Sequence, residues 1–460
     1  MQQQPRLPLW FLVVNWLLIA GAFAIGLTIG ARAETPATLV AQLPKAQLEA
    51  LAVVHREILQ SHVELQDGKE LLEHAIKGMV EELDPYSRYV APADVARYEE
   101  DNTGHYEGIG ADFGTHDGKV VLHFPLAGSA AERAGLRPGD VLLAVDGTEL
   151  ADDTQRARIT ELVRGPSGSE VRLRLARDGA TMEVPVQRSD VRRPCVKWVR
   201  RLEDTTGLGY VHLTDFHPES CSQVLAAIDE LQRDAPLTGL VLDLRWNGGG
   251  SLDECIQIAR AFLPTGLIVS QTRRDGQVVE RHEATPDHCR HPDLPLVLLV
   301  NEGSASASEV LAGALQDHGR AAIVGQRTHG KAYVNTVYTW KNLPFRLKLT
   351  TGQYTTPNGR NIERNHHAPN GRKAETGGIT PDVAVATSPE QAKAIAATLT
   401  GREPPAAYRD AFAAVAAAYG LPVPAPPRAT SDPQLAAAVR TLQARIAKVE
   451  PGERSPDKDK

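Results

Sequence analysis

No C-x-x-C pair occurs in this sequence: its four cysteines, Cys195, Cys221, Cys255 and Cys289, stand far apart. Without such pairs a zinc cluster or a thioredoxin-type redox site has nothing to build on. A G-x-x-x-x-G-K-[ST] segment is also missing, which removes the phosphate-loop nucleotide enzymes, and so is the G-[DN]-S-G-G segment of trypsin-like nucleophiles. Positive charge is not in excess. The formal net charge of −7 supplies no general attraction for phosphate backbones, so nucleic acid is not an expected partner. One local basic run, Arg192, Arg193, Lys197, Arg200 and Arg201, reads as the solvated edge of a strand.

Beyond residue 29 no apolar stretch approaches the length that spans a bilayer. Before it, Leu9 to Ile29 is almost wholly apolar, broken by Asn15, preceded by Arg6 and followed by Ala31-Arg32-Ala33. This is the pattern of an export signal. The run is close to the ~20 residues that cross a bilayer, so cleavage after Ala33 and a retained membrane anchor stand as alternatives. Either places the rest of the chain outside the cytoplasm, in a bacterial periplasm or on the outer face of the inner membrane. There the cysteines allow up to two disulfides in any of three connectivities, although Cys255 lies in an apolar helical pattern suited to a core. His288-Cys289-Arg290-His291 has no paired acidic ligands and reads as a polar loop, so neither a metal nor a cofactor is expected.

With 460 residues and 42% hydrophobic content the chain is long enough for two or three domains. After the leader of residues 1–33, residues 34–103 carry apolar positions at helical spacing (Leu48, Leu51, Val54, Ile58, then Leu71, Ile76, Val80), giving two helices around Gln66-Asp67-Gly68. Residues 104–189 change to short strands with glycine punctuation, among them the strict alternation Val171-Arg172-Leu173-Arg174-Leu175. Their order, and the string AGLRPGDVLLAVDG from Ala134 to Gly147, resemble a PDZ domain. In such domains a glycine loop turns backbone N–H groups toward a peptide carboxylate while the peptide adds as a strand, and Gly108-Ile109-Gly110 is the matching loop. Residues 190–400 alternate strands and helices as an α/β domain of largely parallel strands, whose sites belong at the strands' carboxyl ends. Residues 401–460 are Ala- and Pro-rich, with one helix expected from Pro433 to Val449 and a disordered charged tail.

Two strand-to-helix junctions can hold chemistry. In Asp243-Leu244-Arg245-Trp246-Asn247-Gly248-Gly249-Gly250, three glycines permit backbone conformations that leave N–H groups free for an oxyanion. In Val300-Asn301-Glu302-Gly303-Ser304-Ala305-Ser306-Ala307-Ser308-Glu309, Ser306 is either a helix-starting nucleophile or, with Glu309, an S-x-x-E capping box. Lys331 follows one crossover later, where short connections bring neighbouring strand ends together; to act as a base it must be buried enough to lose its proton near neutral pH.

The strings DLRWNGGG, NEGSASASEVLAGALQDHGRA, VGQRTHGK and YTTPNGRNI with GITPDV, and GMVEELDPYSRYV ahead of the PDZ segment, resemble the C-terminal processing peptidases, the Ser/Lys proteases of family S41. The resemblance runs from about Leu48 to Val385. It implies a crotonase- or ClpP-like α/β superhelical core with the PDZ-like domain inserted and N-terminal helices ahead. Carried over by motif, Ser306 is the nucleophile, Lys331 the general base, and the N–H groups of Gly250 and Ala307 the oxyanion hole. Asn335 stands where the family has a glutamine, keeping an amide but one methylene shorter. His329 and Ala332 replace the family's aromatic residue and glycine around Gly-Lys, and no aspartate partner for a Ser/His mechanism is identifiable. The expected activity is that of a serine endopeptidase acting at flexible apolar C-termini of exported proteins, which the PDZ module captures, with Arg164 a candidate relay. A catalytically idle adaptor on the same scaffold is the alternative, and a homo-oligomer or an activating adaptor is compatible with either.

Overall fold

The computed structural model describes residues 42–151, 155–203, 205, 207–364 and 376–449, so the apolar run 9–29 and the cleavage site after Ala33 lie outside the described residues. The chain divides into two compact units, Met1–Met79 and Val80–Lys460. The first carries helix α1 (Lys45–Ser61) and most of α2 (Gly68–Glu81). Neither helix suffices for a core: α1 buries no residue and leaves Leu51, Val53, Val54 and Leu59 exposed.

The second unit opens with β1 (Arg88–Val90), α3 (Val95–Thr103) and β2 (His105–Gly108). The PDZ-like domain follows: β3 (Ala111–His116), β4 (Lys119–Pro125), α4 (Ala130–Arg133), β5 (Val141–Val145), β6 (Thr148–Glu149), α5 (Arg156–Val163), β7 (Glu170–Arg177) and β8 (Ala180–Gln187). Strands β3, β4, β5, β7 and β8 pair in that order, and β9 (Ser189–Arg192) returns antiparallel to β2 to close the domain's stem. The alternation read in β7 is realised: Val171, Leu173 and Leu175 are fully buried while their neighbours face outward.

The peptidase-like sheet is built from β10 (Val196–Arg201), β11 (Leu208–Leu213), β12 (Gly239–Asp243), β15 (Leu296–Val300), β16 (Ala321–Gly325) and β19 (Val383–Ala384), in that order, parallel throughout except for the edge strand β10. Around it lie α6 (Ser220–Leu231), α7 (Leu252–Phe262) and α8 (Ala307–Asp317), and a second sheet of β13 (Gly266–Thr272), β14 (Val278–Ala284), β17 (Tyr333–Trp340), β18 (Leu343–Thr355) and β1. Parallel strands covered on both faces read as unbroken apolar runs, and LVLLV of β15 is buried at every position. Leu296, Leu298 and Val300 meet α7 and α8, whereas Val297 and Leu299 meet the C-terminal helices α9 (Pro389–Thr400) and α11 (Pro433–Val449).

Two expectations need correction. The C-terminal region contains a further helix, α10 (Arg409–Tyr419), whose Phe412 and Ala416 pack on Phe124 of the PDZ-like domain; an Ala-rich stretch folds here because that surface supplies an apolar partner. Of the basic run, only Arg192 and Arg193 are solvated. Arg201 donates to the Leu231 carbonyl (2.8 Å), Arg200 lies over the Tyr210 ring (5.7 Å), and Lys197 donates to the Gly401 carbonyl (3.3 Å).

Helix α11 is tied to the turn after β12 by charge. Arg245 is completely buried; it donates to Asp243 (2.6 Å), Asp432 (3.1 Å) and Gln434 (3.1 Å). Burial pushes the Asp243 carboxyl up, but the Arg245 guanidinium outweighs it and holds the group below the usual carboxylate range. Asp432 also caps α11, accepting the N–H of Leu435 at 3.0 Å. Asp432→Ala therefore removes a cap worth about 1 kcal/mol and a hydrogen bond to a buried cation worth about 1.5–3 kcal/mol. The expected loss, about 2–4 kcal/mol, is read as a lower urea midpoint at unchanged slope.

Candidate active site

The turn after β12 is stitched to the serine loop through one side chain. Asn247, fully buried, donates its amide to the Leu213 carbonyl and accepts the Gly249 N–H, both at 2.9 Å. Its own carbonyl accepts the Ala305 N–H (3.0 Å) and the Ser308 hydroxyl (2.9 Å). Gly249 adopts φ +101°, and a Cβ there would stand 2.8 Å from Ser306 Cβ and 3.0 Å from the Ala307 nitrogen, so only glycine lets the two loops touch. Gly250 is exposed and bridges to Phe216 through the Gly249 carbonyl and the Ser251 N–H, a pattern that does not use the Gly250 N–H.

Ser306 leads into α8 with φ 56° and ψ −116°, a sparsely populated conformation for a residue with a side chain. Such strain persists only where the surroundings impose it. Here they do so through Glu309. Its carboxylate accepts the Ser306 N–H (2.9 Å), while the Glu309 N–H donates to the Ser306 carbonyl (2.8 Å). The same carboxylate reaches across to the segment after β16, accepting the Thr328 hydroxyl, the Gly330 N–H (2.6 Å) and the Lys331 N–H (2.9 Å). Because one oxygen, Oε2, holds the amides of both Ser306 and Lys331 at 2.9 Å, those nitrogens lie within about 6 Å of each other. Full burial pushes the Glu309 carboxyl up to about 7, opposed by the four donors.

Lys331 is partly buried, and its amine is pushed down to about 8, first by burial and then by the Lys348 ammonium, against the pull of Glu309, Glu363 and Asp84. Its Nζ stands 4.6 Å from the centre of the Tyr86 ring. Tyr354 donates its hydroxyl to the Lys331 carbonyl. Asn335 has other business: its amide donates to Thr350 Oγ1 (3.0 Å), which in turn donates to Asp84 (3.0 Å). The His329 N–H donates to the Ser304 carbonyl (3.0 Å). All four cysteines are unpaired, and Cys255 is core, donating its thiol to the Ala307 carbonyl. Among the described residues no three His, Cys, Asp or Glu side chains converge as metal ligands.

In the PDZ-like domain Gly108 ends β2, Ile109 is buried, and Gly110 takes φ +71° where a Cβ would strike Ser129 at 2.4 Å. Ile109 and Gly110, with Phe113, Ile159 and Val163, line a cleft of about 1170 Å³ whose far wall includes Lys197, Thr214 and Trp246 of the peptidase-like domain. Arg164 pairs with Glu100 of α3 and lies 4.9 Å over the Tyr106 ring. The preceding residue on that helix, Glu99, pairs with Arg346 of β18, the strand that carries Lys348 and Tyr354.

Glu309, Tyr86 and Tyr354 were not legible as site residues. Glu309 reads from the sequence as a local cap, because its second set of donors comes from a separate strand end. Glu309→Gln replaces a pure acceptor by a group that turns an N–H₂ toward buried donors. A loss of several kcal/mol in unfolding free energy and at least a hundredfold in peptide turnover is expected, read by denaturation and by steady-state kinetics.

Residues 207–385 match Peptidase family S41, residues 125–177 a PDZ domain, and residues 30–93 the Activating protease CtpB N-terminal domain. A carboxy-terminal-processing protease of Bartonella bacilliformis is 33% identical over 392 residues, covering 83% of this chain and 85% of the relative. A probable CtpA-like serine protease of Staphylococcus haemolyticus is 29% identical over 389 residues, covering 84% of this chain and 74% of the relative. Among solved structures, a photosystem II D1 C-terminal processing protease is 30% identical and covers 75% of this chain and 94% of that chain, with a TM-score of 0.40. On the extent of the Bartonella match and the coverage of both strand-end junctions, the chain belongs to peptidase family S41 and is a serine peptidase of the carboxy-terminal-processing type with an inserted PDZ domain.

Proposed function

We propose that Ser306 and Lys331 form the catalytic dyad, and the observation that carries this is the single Glu309 oxygen that holds both residues' backbone amides. Ser306 Oγ attacks the scissile carbonyl carbon while neutral Lys331 Nζ takes the hydroxyl proton. The oxyanion is met by the N–H groups of Gly250 and Ala307, which the Gly249 contact draws together. The Lys331 ammonium gives that proton to the leaving amine; neutral Lys331 then takes a proton from water, the hydroxide attacks the acyl carbonyl, and Lys331 returns the proton to Ser306 Oγ as the acid departs. An idle adaptor would have no use for a lysine amine pushed down to about 8 on the segment that Glu309 ties to a strained serine. Asn335 acts on the lysine only through the Thr350–Asp84 pair.

Ser306→Ala and Lys331→Ala are each expected to abolish peptide-bond cleavage and to leave the thermal transition nearly unchanged. Retained turnover in Ser306→Ala would remove the dyad. Since only the neutral amine accepts a proton, the rate should rise through about pH 8 and level off above it; a rate already full at pH 5 contradicts a lysine base.

Substrates are exported proteins with flexible, apolar carboxyl ends that add as a strand beside β3, their terminal carboxylate at Gly108-Ile109-Gly110. The contacts from Arg164 through Glu100 and Glu99 to Arg346 support Arg164 as the route by which an occupied groove reaches β18. Export, with residues 9–29 as signal or anchor, belongs to the same reading. One peptide with a free and an amidated carboxyl terminus separates the cases: terminus recognition requires the amide to be cut far more slowly, and equal rates refute it.

A further inference from the structure

The string GMVEELDPYSRYV carries a residue that the dyad alone does not account for. Asp84 opens a tight turn after α2: its carboxylate accepts the N–H of Tyr86 (2.8 Å), the N–H of Ser87 (2.9 Å) and the Ser87 hydroxyl (2.7 Å). The turn is fastened to β18 from both sides. Thr350 donates its N–H to Ser87 Oγ (3.1 Å) and its hydroxyl to Asp84 (3.0 Å), and β1 then pairs Arg88 with Lys348. This leaves the half-buried Tyr86 ring little freedom: its centre lies 4.6 Å from Lys331 Nζ and 5.8 Å from the Tyr333 ring.

An aromatic face attracts a cation through its quadrupole and does nothing comparable for a neutral amine. We propose that Tyr86 is a positioning residue for peptide cleavage: its ring face is the surface on which the Lys331 ammonium rests, favouring the charged form and so setting the pH at which the neutral base appears. The inference rests on the reading of Lys331 as the general base. The charges around that amine come from four other elements: Lys348 on β18 opposes the proton, while Glu309 on α8, Glu363 after β18 and Asp84 in the turn favour it. The ring adds to the second group, so weakening its quadrupole moves the titration of the amine to lower pH.

The experiment is a pH profile of kcat/KM on a free-ended apolar peptide, with Tyr86 replaced by phenylalanine and then by mono-, di- and trifluorophenylalanine. These rings keep nearly the same shape, so folding is held constant while the quadrupole falls. Phenylalanine should keep the wild-type limb. The fluorinated series should move it stepwise downward, by several tenths to about one pH unit in total, and Tyr86→Leu should shift it in the same direction. A limb that stays fixed or moves upward across the series overturns the inference, with the dyad intact. Turnover surviving Lys331→Ala would instead remove the base itself, and the role of Tyr86 with it.

Discussion

One buried carboxylate holds the site together. Glu309 gathers donors from the start of α8 and from the segment after β16, two pieces of chain that meet only because β15 and β16 are parallel neighbours. A backbone N–H buried without a partner is costly, and this carboxylate serves three of them with two oxygens. The strained backbone of Ser306 goes with this, since the residue turns its N–H inward to Glu309. Burial keeps water from competing for these bonds, and it is also what lifts the Glu309 carboxyl toward neutrality. The site is therefore held by a group close to its own titration range.

The amine of Lys331 is poised by opposition. Removal from water and the Lys348 ammonium drive its proton off; three carboxylates keep it on. No single partner sets the outcome, and none of them is adjacent to Lys331 in the sequence. This is why the serine and lysine were legible from their motifs while the groups that tune them were not. Spacing along a chain reports which strand ends carry reactive side chains; it cannot report which side chains from a turn before the PDZ domain, such as Asp84 and Tyr86, fold back over them.

The layout was legible for a related reason. Buried parallel strands leave a continuous apolar signature, as in LVLLV, and β7 of the PDZ domain leaves a period of two. Helix α10 escaped because its alanines have no periodic contrast, and only the apolar face around Phe124 gives Phe412 a place to bury. The basic run misled in the opposite sense: charge suggested solvent, yet Arg201 spends its guanidinium on the Leu231 carbonyl at the end of α6. Between the two domains, α3 presents Glu100 to one and Glu99 to the other.

The ion cluster of Asp243, Arg245 and Asp432 joins residues nearly two hundred positions apart, immediately under the glycine loop. Until Asp432 has arrived, Arg245 lacks one of its anionic partners, and Val241, Val297 and Leu299 have no α11 to cover them. Docking of α11 and neutralisation of the buried guanidinium are therefore one event: the helix that covers the apolar face of the sheet also carries the carboxylate beneath the glycine loop.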